Sequence, residues 1–124
     1  MKPCSNETCH KFFLALANPT RLAILEILQD GPKNVAEISE KLHREQSMIS
    51  HNLKPLEDCV FIFSERRGRE RVYRVNNEII APLFELFCFH ANKYCPNGRV
   101  CLTENGLERF KKQEAAKPLF LNQK

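Results

Sequence analysis

Apolar residues return at helical intervals through the first half of the chain and then change to a β-like rhythm. Between Cys9 and Ala17, the residues Phe12, Phe13, Leu16 and Ala17 fall along one side of a helix. The signals in "LANPTRLAILEILQDGP" are sharper. Asn18 suits a cap, Pro19 suits the first helical position, Leu22, Ile24, Leu25, Ile27 and Leu28 supply an apolar face, and Gly31-Pro32 stops the run. "NVAEISEKL" predicts a third, short helix, with Asn34 and Glu37 spaced as a capping box and Val35, Ile38 and Leu42 on one face. After "HRE", residues 46–57 place Ile49, Leu53 and Leu56 on one side and Gln46, Ser47, Ser50, His51 and Lys54 on the other.

Two β-prone runs follow, "CVFIFS" and "ERVYRV", joined by "ERRGR", where Gly68 supplies the positive φ of a hairpin turn. From Ile79 to Tyr94, "IIAPLFELFCFHANKY" is apolar nearly all round, with Pro82 acceptable in a first turn. A helix of that kind must be buried. Beyond it, "PNGRVC" reads as a loop, "TENGLERFKKQEAA" as a weak charged helix and "KPLFLNQK" as a frayed end. The expected fold is mainly α with one β-hairpin, in the order ααααββα. Residues 1–95 form the folded domain, and 96–124 a C-terminal loop, weak helix and tail.

Length and composition narrow this picture. At 124 residues and 43% hydrophobic content, the chain fits one modest core and no second domain. No apolar run reaches the roughly 18 residues of a membrane span, and "MKPCSNETCHKFF" lacks the apolar segment of a signal peptide. A soluble, cytoplasmic protein without a membrane partner is expected. Six cysteines in a chain with long helical patterns then point to buried, metal-binding or redox-active thiols rather than a disulfide scaffold.

The net charge of +4 is mild, but its distribution is not: five arginines stand against two glutamates between Ser64 and Arg74. Taken alone, such a run is as well explained by a solvated hairpin. Its position changes the reading. A short helix, a tight turn, a helix with a polar outer face and a basic hairpin follow one another in the order of a winged helix-turn-helix. Ser, Gln, Asn and His tips on the second helix suit base edges in a major groove, with Gln46, Ser47, Ser50, His51 and Lys54 as candidates. Arg44 before it and Arg66, Arg67, Arg69 and Arg71 on the hairpin suit phosphates or a minor groove. No phosphate-binding loop, GxSxG elbow or HExxH helix is present, so no enzyme chemistry is indicated.

"FFLALANPTRLAILEIL" resembles the "ALADPTRLRIL" opening of the ArsR/SmtB family of winged-helix repressors, and "EQSMISHNLKPLEDCVFIFSERRGRERVYRV" resembles that family's recognition helix and wing. The resemblance covers about residues 10–90. It implies a homodimer, joined through the first and last helices, that binds a double-stranded DNA operator and leaves it on a metal, metalloid or thiol-reactive signal. The surplus of apolar surface on those two helices has the same explanation. Departures from the pattern are His43 where a turn glycine is usual, Glu45 where a serine would cap, and Pro55 inside the recognition helix, which is expected to kink or shorten it.

The family's Cys-x-Cys site is missing from "NVAEISEKL", and of its last-helix Asp and His ligands only His90 is available. What remains is "CFHANKYCPNGRVC", with Cys88, Cys95 and Cys101. Cys88 and Cys95, seven apart, share a helix face. Three thiolates there suit As(III), or Zn(II) or Cd(II) with a fourth ligand. Cys4, Cys9 and His90 are weaker candidates. Cys59 and Cys88 are also expected as packed core thiols. Reversible disulfide formation is the rival switch. An effector-independent regulator, or a module that contacts protein or RNA instead of DNA, remains as an alternative.

Overall fold

The first helix begins three residues before the apolar spacing announces it, because Ser5 caps it. In the computed structural model, which describes residues 5–94, α1 spans Asn6–Leu16 and the Thr8 amide donates to the Ser5 hydroxyl at 3.1 Å. Helix α2, Pro19–Leu28, starts as the sequence suggests, with the Arg21 amide on the Asn18 side chain and Pro19 in the first turn. Helix α3, Val35–Leu42, closes the capping box in both directions, Asn34 to Glu37 and back, at 2.8 Å each.

Helix α4 spans Gln46–Asp58 and runs through Pro55 without being shortened by it. Proline withholds one donor, which would have bonded the His51 carbonyl, and His51 lies on the exposed side where water can serve that oxygen. The helix ends in a Schellman arrangement. The Phe61 amide bonds the Leu56 carbonyl at 2.9 Å and the Val60 amide the Glu57 carbonyl at 3.0 Å. Val60 occupies the left-handed position that usually falls to glycine, at φ 59°.

The hairpin starts later than the β-prone run "CVFIFS" suggests, since Cys59 to Phe61 are consumed by that helix terminus. Strand β2 is Ile62–Arg67 and β3 is Glu70–Val75, joined by a two-residue turn in which Gly68 takes φ 63°. A further strand was not foreseen: β1, Lys33–Asn34, precedes α3 and pairs antiparallel with β3, Lys33 opposite Tyr73 and Asn34 opposite Val72. The sheet order is β1-β3-β2. Two residues are too few to show a period, so only the pairing reveals β1.

Ile24, Leu25, Ile38, Ile49, Leu56 and Phe61 are fully buried and join α2, α3 and α4 to the root of the hairpin. Leu22 falls outside this core and is exposed. Phe12 of α1 meets Phe61 edge to face, with ring centroids 5.0 Å apart. Asn76, itself buried, donates to the Val60 carbonyl at 2.9 Å and its own carbonyl receives the Ile79 and Ile80 amides at the start of the last helix.

That helix, α5, is Asn77–Tyr94, two residues longer at its start than predicted, so Pro82 lies past the first turn. The chain divides at that proline into two units, Met1–Ala81 and Pro82–Lys124. The expected burial of the last helix is not met among the described residues: Leu86 and Phe87 are 64% exposed and Phe89 is 59% exposed. Cys88 is likewise exposed and not a core thiol, and Cys59 is only half-buried. Among the described residues, no helix is long and apolar enough to cross a membrane.

Candidate nucleic-acid interface

The turn between α3 and α4 is built without glycine. His43 caps α3 in the left-handed region at φ 55° and ψ 46°, and Ser39 pins the next residue twice. Its carbonyl accepts from the Arg44 amide at 3.2 Å and its hydroxyl donates to the Arg44 carbonyl. Arg44 is thereby placed, with its side chain exposed, just ahead of α4. Glu45 makes no side-chain cap, as its replacement of a serine implied, so the first-turn amides of α4 are left to solvent or to a phosphate oxygen.

Along α4 the two faces separate cleanly. At about 100° per residue, Gln46, Ser47, Ser50, His51 and Lys54 occupy an arc of about 140°, and all five are exposed. Ile49, Leu53 and Leu56 take the opposite side. Asn52 does not join the polar tips, contrary to the sequence reading. It is buried, donates to the Met48 carbonyl at 2.9 Å and accepts from Arg21 at 3.2 Å. Lys54 is exposed and pairs with Asp58 at 3.0 Å; that hydrogen bond and the charge of Asp58 raise the lysine pKa above its ordinary value.

The hairpin arginines fall into different situations. Arg66 and Arg71 stand directly opposite each other, a like-charge pair that destabilises an isolated hairpin. Arg71 is held back: it donates to the Ser64 hydroxyl at 3.0 Å, and that hydroxyl donates to the Glu57 carboxylate of α4 at 2.5 Å. Arg67 is paired with Glu65 at 2.7 Å, and Arg74, which the sequence reading left out, lies over the Phe63 ring at 4.5 Å. Tyr73 stands next to this group. Burial, reinforced by Glu57 and opposed by Arg71, pushes its phenol pKa up.

Arg21 and Asn52 were missed as positioning residues. The Arg21 guanidinium donates to the Ala15 carbonyl at 2.6 Å and the Leu14 carbonyl at 3.2 Å, closing the C-terminal end of α1, and holds Asn52 of α4 as well. A sequence signal existed. An arginine in the first turn of a helix opposes the helix dipole, and the residue four on is Leu25 rather than an acid. Such a cation needs a partner elsewhere in the fold.

Of the candidate metal ligands, Cys9, Cys88 and His90 lie within the described residues. Among the described residues, no group of three or more His, Cys, Asp or Glu side chains is arranged to hold an ion. Cys88 and His90, two apart on α5, project about 160° from each other and cannot chelate one ion. His90 instead lies against the Tyr94 ring at 5.1 Å. Cys9, on α1, is disulfide-bonded. Cys4, Cys95 and Cys101, with the whole 96–124 segment, lie outside the described residues.

Comparison with known proteins adds to this geometry. The family model described as "Bacterial regulatory protein, arsR family" matches residues 18–62, from the cap of α2 to the start of β2. The chain is 36% identical over 77 residues to the transcriptional regulator NmtR of Mycobacterium tuberculosis, a match over 62% of this chain and 64% of that one. It is 35% identical over 85 residues to a protein of Streptomyces lividans named "Probable mercury resistance operon repressor", covering 68% of each. A homodimeric winged helix-turn-helix DNA-binding domain from Mycobacterium bovis superposes with a TM-score of 0.66 at 26% identity, over 81% of this chain and 98% of that one. The chain therefore belongs to the arsR family of bacterial regulatory proteins.

Proposed function

We propose that this protein is a homodimeric transcriptional repressor that binds a double-stranded DNA operator and is released from it by a soft, thiol-binding metal or metalloid. The observation that carries the DNA reading is the unbroken polar arc of α4, Gln46 to Lys54, presented beside an arginine-rich hairpin on the same rigid core. Gln46, Ser47, Ser50 and His51 read base edges in the major groove. Arg44, Arg66 and Arg69 meet phosphates or the flanking minor groove. In a two-fold dimer, two such helices meet successive major grooves about 34 Å apart. The dimer itself is supported by Leu86, Phe87 and Phe89, a large apolar surface that stands exposed among the described residues, and by the homodimeric state of the M. bovis domain.

The effector class rests on cysteine chemistry and on the mercury resistance repressor among the relatives. As(III), Zn(II) and Cd(II) are the candidates, with Cys88, Cys95 and Cys101 as ligands. Any effector that prefers the DNA-free geometry weakens DNA binding by the factor by which DNA weakens effector binding. A second reading, a disulfide switch, is favoured by one observation, the disulfide at Cys9.

The test is fluorescence anisotropy of reduced, metal-stripped protein on its own upstream DNA, under anaerobic conditions, before and after arsenite. Release of specifically bound DNA supports thiolate sensing, and Cys95→Ser and Cys101→Ser should then abolish it. Tight binding unmoved by arsenite but lost on oxidation selects the disulfide switch. Binding that ignores sequence refutes the repressor reading.

A further inference from the structure

We infer that Arg71 is a positioning residue and not a DNA contact, and that the chain Glu57–Ser64–Arg71 sets the angle between the recognition helix and the wing. The inference rests on the DNA-binding reading above and assigns its parts. Glu57 lies in the last turn of α4, Ser64 on β2 and Arg71 on β3, so the three side chains join three elements. Ser64 is the hinge of the relay: its single proton goes to the Glu57 carboxylate at 2.5 Å, and its oxygen accepts from Arg71 at 3.0 Å. A hydroxyl that donates to an anion is polarised and becomes a better acceptor for a cation.

The register explains why the relay is needed. Arg66 and Arg71 are directly opposed, and Ser64 stands opposite Tyr73, one step nearer the hairpin root on the same face. Tying the Arg71 guanidinium to Ser64 draws one of the two like charges toward the root and the Glu57 carboxylate. Arg66 is then left to point its charge outward. Arg67 is already occupied by Glu65 and Arg74 by the Phe63 ring. Among the described residues, Arg66 and Arg69 are the hairpin arginines with no partner, so they are the ones available to a phosphate. At a DNA face the Glu57 carboxylate would repel the phosphate backbone. Its service to Ser64 explains its presence.

The experiment reads salt dependence and sequence preference separately, using the full chain on its upstream DNA and on random DNA. Removing an arginine that touches a phosphate lowers the slope of log K against log salt by about 1, equally on both DNAs. Arg66→Gln and Arg69→Gln are expected to do this. Arg71→Gln and Ser64→Ala are expected to leave the slope unchanged and to lower the ratio of specific to random binding about three- to tenfold, the worth of one hydrogen bond. Ser64→Thr, which keeps the hydroxyl, restores the ratio, and the double variant Ser64→Ala/Arg71→Gln loses no more than either alone. A slope lowered by about 1 in Arg71→Gln, with Ser64→Ala neutral, overturns the assignment. Absence of any sequence preference in the unaltered protein overturns the repressor reading and this inference together; preference kept in full by Ser64→Ala overturns this one only.

Discussion

Replacing Arg21 by methionine tests whether the α1–α2–α4 clamp supports the platform on which the recognition helix sits. Methionine keeps most of the apolar stem and removes the guanidinium, so lost packing is a minor part of the effect. Three hydrogen bonds disappear, two of them to carbonyls of the last turn of α1 and one to Asn52. Hydrogen bonds from a charged donor are worth about 1.5–3 kcal/mol each. Arg21 is only half-buried, however, and water can reach the Leu14 carbonyl in its place. The Asn52 oxygen is buried and loses its partner, which alone costs about 1–3 kcal/mol. The expected loss is about 2–4 kcal/mol. The assay is urea unfolding followed by circular dichroism at fixed protomer concentration, because a dimer couples stability to concentration. Arg21→Lys, a point charge without the fork, should recover less than half. Adding Asn52→Leu to Arg21→Met should cost less than the sum of the two single changes, since it removes the stranded oxygen. A loss under about 0.5 kcal/mol for Arg21→Met would refute the clamp.

Three further outcomes follow from other parts of the molecule. Val60→Gly should stabilise by about 1 kcal/mol, because a β-branched residue at φ 59° carries a steric cost that glycine does not; a drop in the urea midpoint would show that the exposed valine has an unseen partner. Phe87→Glu should convert a dimer into a monomer in light scattering at micromolar concentration, since each dimer would bury two charges in an apolar contact; a monomeric unaltered protein would end the dimer reading. Tyr73 should ionise above the ordinary value of 10.0 when absorbance near 295 nm is followed in a Tyr94→Phe background, with Glu57→Gln moving it back down. The neutral phenol is favoured by the fold. Its contribution to stability is therefore complete below pH 10 and falls as pH rises through the unfolded and then the folded value; a midpoint at or below 10 would contradict the burial of this ring.

Local sequence determined the elements whose signals are short-range. Asn18-Pro19 started α2 and the Asn34–Glu37 box started α3, because caps and fixed proline torsions act within one turn. Gly68 placed the hairpin turn for the same reason, and the period of α4 separated its polar arc from its apolar one. What the tertiary structure decided are the pairings between residues far apart in the chain. Strand β1 exists only because β3 is there to accept it. Asn52 looked like one polar tip among several, and became a buried acceptor only because Arg21, 31 residues earlier, reaches it across the helix packing. The five hairpin arginines look alike in sequence; their distinct roles come from Glu65, Ser64 and Phe63, whose proximity the β-register creates. Burial showed the same limit at α5. Its apolar pattern stated that Leu86, Phe87 and Phe89 need cover, yet among the described residues they stand exposed, since a pattern records the demand for burial and not the surface that meets it.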